Sequence, residues 1–251
     1  MKRFEGKVVL ITGSSRGIGK ACALEFAKEG AKIIIDFHIS DIEPDADKNA
    51  ALAVNEIKKM GSEAIAIKCD VSKEDEVKSM FDEAVKNFGT IDILVNNAGI
   101  VYDFPIEEKT TEQWKRTFEV DLLGAFICCK EAVSHMQVGS SIINIASTNG
   151  INAICPDSMD YNAVKAGLIN LTANLAKKFA PKIRINAIAP GWVDTKMNAG
   201  LPKEYVDQET QKTWLKRFAN SSEIAKPVLF LASEDASFIT GTTLIVDGGY
   251  K

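Results

Sequence analysis

Val8-Val9-Leu10-Ile11-Thr12-Gly13-Ser14-Ser15-Arg16-Gly17-Ile18-Gly19 is the stretch whose reading decides the fold. Four aliphatic residues without polar alternation suit a strand buried on both faces of a parallel sheet. Glycines in the spacing G-x-x-x-G-x-G follow at once, and a helical pattern opens at residue 17. Glycine lets the backbone turn tightly and approach a ligand closely, and a helix amino end favours the negative charge of a phosphate. The spacing departs from G-x-G-x-x-G, so the loop alone is weak support for a dinucleotide site.

Outward from that loop the strand-then-helix rhythm repeats. Apolar runs at 8–11, 33–35, 64–67, 91–95, 142–145, 183–188 and 243–246 predict seven strands. Helical patterns over 17–29, 48–60, 73–88, 111–137, 160–179 and 221–233 lie between them. The stripe Val164, Leu168, Leu171, Leu175 and Phe179 is one such face, and Pro181 ends it. This alternation implies right-handed crossovers and an α/β, Rossmann-type, doubly wound parallel sheet of about seven strands with helices on both faces. Ligands belong at the carboxyl ends of its strands. No repeat or linker divides residues 1–251, so a single domain is expected. Two segments break the rhythm. The acidic stretch 37–47, with Asp41, Glu43, Pro44, Asp45 and Asp47, reads as a solvated surface loop. Residues 195–218, punctuated by Gly200 and Pro202, read as a lid-like excursion.

Composition narrows the partners. Thirty basic against 34 acidic residues give a net charge of -4, with no electrostatic footprint for nucleic acid or an anionic membrane. Glu5, Gly6 and Lys7 interrupt any signal-like apolar run, and none elsewhere is long enough to span a bilayer, so a cytoplasmic protein is expected. Five cysteines (Cys22, Cys69, Cys128, Cys129 and Cys155) form no C-x-x-C pair, and only His38 and His135 are histidines. Reduced, mostly buried thiols and no metal are expected.

Further motifs punctuate the strand ends. Asp70-Val71 follows the third run, Asn96-Asn97-Ala98-Gly99 the fourth, and Ser147 the fifth. Tyr161-x-x-x-Lys165 lies in the next helix, Pro190-Gly191 with Val193 and Thr195 follows the sixth run, and Asp247-Gly248-Gly249 closes the chain. Taken with the glycine loop, in this order and over nearly the whole length, these motifs resemble the short-chain dehydrogenase/reductase family. The branch is that of 3-oxoacyl-(acyl-carrier-protein) reductases and glucose dehydrogenases. The resemblance implies an NAD(P)-dependent oxidoreductase acting on CH–OH groups, with residues 1–251 as one catalytic domain. It implies Ser147, Tyr161 and Lys165 as the catalytic set, and Gly13, Ser15, Arg16, Gly17, Ile18 and Gly19 around the cofactor phosphates. It further assigns Asp70 and Val71 to the adenine, Asn97, Ala98 and Gly99 to the cofactor cleft, and Pro190, Gly191, Val193 and Thr195 to the nicotinamide. Tyr161 and Lys165 also belong to the cofactor site, Lys165 through the nicotinamide ribose. A homotetramer is the family's usual assembly, and Phe126 and Ile127 suit either its interface or the core.

The chemistry agrees with the resemblance. Reduction of a carbonyl needs a proton on its oxygen, and a tyrosine titrating near ~10 is a poor base at neutral pH unless its anion is stabilised. Lys165 lies one helical turn from Tyr161, where its charge is expected to lower the tyrosine pKa. Ser147 can hold the reacting oxygen without titrating. In isolation each has a plain alternative: a core tyrosine, a snorkelling lysine, a loop serine. One departure stands out. Where the family carries asparagine in N-L-x-G, this chain has Asp121-Leu122-Leu123-Gly124. Ionised aspartate accepts but does not donate hydrogen bonds, so an altered pH profile is expected.

Cofactor choice stays open between NADP and NAD, with a lean to NADP. Asp36 stands near the end of the second strand, where a carboxylate selects NAD, but the family register puts the discriminating position on Phe37. Arg16 and His38 favour a 2′-phosphate, and the acidic loop opposes one if it folds nearby. The substrate is expected to be a small carbonyl or secondary alcohol, a sugar, polyol or hydroxy-ketone. Residues 100–104, right after the NNAG motif, hold no arginine, and no Lys or Arg lies in 131–141 to dock an acidic carrier protein. Ser147, Asn149, Tyr161 and Trp192 are the candidate substrate residues, with the 153–159 loop and the 195–218 excursion around them. A 3-oxoacyl-(acyl-carrier-protein) reductase is the alternative, and a non-catalytic dinucleotide-binding regulator is an alternative of another class.

Overall fold

A computed structural model describes residues 2–41, 43–152 and 155–250. Its strands in chain order are β1 (Val8–Ile11), β2 (Lys32–Phe37), β3 (Ala64–Lys68), β4 (Ile93–Asn96), β5 (Ser140–Ile145), β6 (Ile183–Pro190), β7 (Val193–Asp194), β8 (Ala219–Asn220) and β9 (Thr243–Val246). Its α-helices are α1 (Gly17–Lys28), α2 (Ala46–Lys59), α3 (Glu74–Phe88), α4 (Thr111–Phe118), α5 (Ala125–His135), α6 (Asn149–Asn152), α7 (Met159–Phe179), α8 (Lys203–Lys212) and α9 (Ser221–Ala232). Seven strands form one sheet in the order β3-β2-β1-β4-β5-β6-β9, and every pairing is parallel. All seven expected strands are present in it.

The apolar runs lack alternation because both faces of the sheet are covered. In β1, Val9 and Ile11 point into one core with Phe26, Ile33, Ile35, Ile57 and Val228, beneath α1, α2 and α9. Val8 and Leu10 point into the other with Ile34, Phe81, Leu94, Cys128 and Ile142, beneath α3 and α5. A period of two thus divides a uniformly hydrophobic strand between two cores. The chain winds outward in both directions from β1 and β4. The crevice between their carboxyl ends is the switch point where such sheets bind ligands.

The helical pattern over 111–137 is not one helix. α4 starts on a capping box, with Gln113 N–H donating to Thr110 Oγ1 at 3.1 Å and Thr110 N–H to Gln113 Oε1 at 2.9 Å. A π-helical segment, Glu119–Gly124, then separates α4 from α5. The wider winding changes which residues face inward, and it places Asp121 out of solvent. On α7 the fully buried face is Val164, Leu168, Thr172 and Ala176, while Leu175 and Phe179 are partly buried against the second core.

The 195–218 excursion is anchored rather than loose at its far end. β7 pairs with β8, and the amides of Trp214 and Leu215 donate to the carbonyls of Gly249 and Gly248, each at 3.1 Å. Among the described residues no helix is long and apolar enough to cross a membrane.

Candidate active site

The carboxyl ends of β1, β2, β4, β5 and β6 open onto one cavity of about 760 Å³. The glycine turn forms its floor at one end. Gly13 has φ +59°, and a Cβ there would stand 2.8 Å from Ala98 Cα; a Cβ on Gly19 would meet Asn97 Nδ2 at 2.5 Å. Gly17, with φ +57°, faces open space, where an added Cβ would find only Thr195 Cγ2 at 3.8 Å. Asn97 and Thr12 lock this turn. Asn97 Nδ2 donates to the carbonyls of Thr12 and Gly13 at 2.9 Å, and Thr12 Oγ1 accepts from the amides of Asn97 and Ala98 at 2.9 and 3.0 Å. The result is a tight backbone cradle at the amino end of α1, open at Gly17 where it meets the cavity. It fits a pyrophosphate.

At the other end three side chains converge from the end of β5 and from α7. Ser147 lies just past β5, while Tyr161 and Lys165 sit one turn apart on α7. Ser147 lies beside Tyr161 on the cavity wall and acts to lower the pKa of its hydroxyl. Lys165 Nζ stands 5.2 Å from the Tyr161 ring centroid and donates to the Ile145 carbonyl at 3.1 Å. It also ion-pairs with Asp121 Oδ2 at 3.1 Å, both side chains being out of solvent. Asp121 Oδ1 accepts from the Ile100 amide at 2.8 Å. Gly99 is required beside this pair, since a Cβ there would come within 2.8 Å of Asp121 Oδ2 and 3.4 Å of Lys165 Nζ.

Burial pushes the Tyr161 hydroxyl above the ordinary tyrosine range; Lys165 pulls it down, but the Asp121 carboxylate pushes it up again. Lys165 thus lowers the tyrosine as expected, but burial, with Asp121 added to it, outweighs the lysine. Burial works to lower Lys165, yet Asp121 and Tyr161 outweigh it and hold the ammonium above its usual pKa. Burial raises Asp121 in spite of Lys165 and the Ile100 amide. Such a set can exchange one proton between a tyrosine and a substrate oxygen beside a fixed positive charge.

Residues 13–251 match the family model described as enoyl-(acyl carrier protein) reductase. The chain belongs to the short-chain dehydrogenase/reductase family. It is 40% identical over 246 residues to the 3-oxoacyl-(acyl-carrier-protein) reductase of Staphylococcus epidermidis, covering 97% of this chain and 98% of that protein. It is 38% identical over 256 residues to glucose 1-dehydrogenase 2 of Bacillus subtilis, covering 99% and 96%. A short-chain dehydrogenase from Burkholderia cenocepacia, solved in complex with NADP, superposes with a TM-score of 0.92 at 31% identity over 98% of each chain. As a short-chain dehydrogenase/reductase, the chain is an oxidoreductase acting on carbonyl and alcohol groups.

Within this short-chain dehydrogenase/reductase, Gly13, Ser15, Arg16, Gly17, Ile18, Asp36, His38, Asp70, Val71, Asn97, Ala98, Gly99, Pro190, Gly191, Val193 and Thr195 line the cavity, as do Ser147, Asn149, Tyr161, Lys165 and Trp192. Three expected positions lie elsewhere. Phe37 packs against the core beneath α1 and α2, the strand's period turning it away from the cleft. Gly19 is buried under the turn, where it makes room for Asn97. Asp121 stands behind Lys165, off the cavity wall.

Asp36 faces the glycine turn. Its Oδ2 accepts from the Gly13 amide at 2.9 Å, while Oδ1 has no hydrogen-bond partner among the described residues. Burial pushes this carboxyl up to about 8. Trp192 forms a wall: its ring stacks on Phe218 at 5.3 Å, and its Nε1–H donates to Glu209 Oε2 at 3.0 Å. Asn149 Nδ2 donates to Asn162 Oδ1 at 2.9 Å. Of the 153–159 loop, Ala153 and Ile154 lie outside the described residues, while Cys155, Asp157 and Ser158 line the cavity.

Several cavity residues were not singled out by the sequence: Tyr102, Asp103, Arg116 and Tyr250, while Tyr205 comes from the 195–218 excursion expected around the pocket. Arg116 donates to Asp70 Oδ2 at 2.9 Å and to Ser72 Oγ at 2.7 Å, so Asp70 is already paired. The acidic loop is the clearest reversal. Ser40, Asp41 and Glu43 line the cavity instead of only facing solvent.

Proposed function

We propose that residues 1–251 form one catalytic unit that transfers a hydride between NADP(H) or NAD(H) and the carbonyl or secondary alcohol of a small substrate. The observation that carries this reading is the meeting of Ser147, Tyr161 and Lys165 at one end of a cavity whose other end is the glycine cradle. The nicotinamide, when bound, supplies or accepts the hydride. Tyr161 gives a proton to the substrate oxygen in reduction and takes it in oxidation, and Ser147 holds that oxygen by a hydrogen bond. Lys165 stabilises the tyrosine anion and contacts the nicotinamide ribose. Gly13, Ser15, Arg16, Gly17 and Ile18 hold the phosphates, and Asp70 and Val71 flank the adenine. Asn97, Ala98 and Gly99 shape the cleft, and Pro190, Gly191, Val193 and Thr195 hold the carboxamide end. Arg16 and His38 at the adenosine end favour NADP, while the acidic residues Asp41 and Glu43 beside them oppose its 2′-phosphate.

The substrate end favours a small, uncharged, hydroxylated molecule such as a sugar, polyol or hydroxy-ketone. Asp103 and Asp157 put carboxylates on its wall beside Tyr102, Asn149 and Trp192, and the carboxylates accept hydrogen bonds from hydroxyl groups while repelling anions. Reduction of a 3-oxoacyl carrier-protein thioester is the second reading, favoured by the 40% identity to the staphylococcal reductase. Turnover of a panel of free carbonyls and alcohols, against a 3-oxoacyl thioester on carrier protein, separates the two, with Tyr161→Phe as control. Cofactor binding without turnover on either panel would make the chain a regulator and overturn the enzymatic reading.

A cytoplasmic homotetramer completes the proposal. Trp114, Phe118 and Phe126 are exposed on the α4–α5 flank, and Phe238, Leu244 and Ile245 at the edge strand β9, while Ile127 is core. Two separate apolar faces suit a dimer of dimers, and light scattering tests it.

A further inference from the structure

Glu43 comes from the acidic loop after β2, yet its side chain is only 16% exposed and it faces the adenosine end of the cavity. Its Oε2 lies 3.0 Å from Arg16 Nε. Oε1 accepts from Ser15 Oγ at 2.8 Å and from Asn49 Nδ2 at 3.2 Å. Its own amide donates to the Ser40 carbonyl at 3.0 Å, which ties the loop down behind the carboxylate. An acid group of the chain itself therefore sits on the two glycine-turn residues whose side chains can offer donors to an anion.

We propose that Glu43 is the residue that sets NADP against NAD, an internal carboxylate competing with the adenosine 2′-phosphate for Arg16 and Ser15. The proposal rests on the reading that the glycine cradle binds a nicotinamide dinucleotide. A 2′-phosphate brings about −1.5 to −2 charges and is held chiefly by arginine. Here Arg16 already has an anionic partner, so the phosphate has to displace Glu43 or lie against it, like charge beside like. A dinucleotide lacking that phosphate brings no charge to this place and leaves the pair intact. The strand-end residues do not perform this selection: Asp36 is turned to the Gly13 amide and Phe37 to the core. His38 also lines the cavity, with its Nε2 3.8 Å from Asp70 Oδ2.

Dissociation constants for NADPH and NADH, measured by nicotinamide fluorescence on the full chain, test this with Glu43→Gln and Glu43→Ala. Glutamine keeps an acceptor for Ser15 and removes the charge; alanine empties the place. The expected result for both is an NADPH affinity about tenfold tighter, the scale of one charge-assisted hydrogen bond, with NADH within about twofold of the parent. An unchanged NADPH/NADH ratio, or one that moves through NADH alone, overturns the role of Glu43 and leaves the cofactor site standing. Failure of the parent and both variants to bind either dinucleotide overturns both.

Discussion

Asp121 Oδ2 stands 3.1 Å from Lys165 Nζ inside the protein, so the lysine that faces Tyr161 shares its charge with a carboxylate. The family's asparagine at this place carries no charge. Because Asp121 pushes Tyr161 upward, Asp121→Asn removes that push and Tyr161 ionises at lower pH. In the oxidation direction, where the ionised tyrosine is the base, the rising limb of kcat/KM is expected to move to lower pH. A pH profile of alcohol oxidation for the two proteins checks this, and an unmoved limb would remove Asp121 from control of the proton.

Tyr161→Phe keeps the ring and removes the one hydroxyl able to move a proton here. Turnover is expected to fall about 10²–10⁴-fold, the range for loss of a general acid–base group. Cofactor affinity, read by fluorescence titration, should stay within about twofold.

Asp36 has a pKa raised to about 8 by burial, and the sign of its linkage follows. A carboxyl that holds its proton more tightly folded than unfolded favours folding at low pH, and that advantage is lost as pH rises from its unfolded pKa toward about 8. Asp36→Asn retains an oxygen for the Gly13 amide and has no charge to bury. The variant is expected to exceed the parent by about 1–3 kcal/mol at pH 9, with the difference shrinking toward pH 5. Urea unfolding at the two pH values measures it, and a gain independent of pH would disprove the titration.

Lys109 and Asp160 form a second buried pair at 2.6 Å, one residue before Tyr161, with Thr117 Oγ1 donating to the other carboxylate oxygen at 2.8 Å. Lys109→Met alone leaves an unpaired carboxylate inside the protein and should lower stability by about 3–5 kcal/mol. Adding Asp160→Leu should restore most of that loss. Denaturation of both variants decides whether the penalty comes from the stranded charge or from packing.

The sequence by itself determined the seven sheet strands, the doubly wound class and the glycine turn, because each is a local property. Runs such as Val8–Ile11 are apolar throughout since both faces are covered, and Tyr161 and Lys165 are four apart, which on any helix means one turn. Only the tertiary structure decided what those residues meet. Asp121 reaches Lys165 across 44 residues because a π-helical segment turns it inward, and no period in 111–137 announces that turn. Glu43 reaches Arg16 because the loop after β2 folds back over the start of α1, where an acidic stretch read alone suggests only solvent. Phe37 faces the core for a related reason: position along a strand is legible, but which face a strand end presents depends on the layers packed against it. Backbone periodicity thus places side chains along the chain. The electrostatic partners that tune them come from distant segments, and those meet only when the helices and loops settle on the sheet.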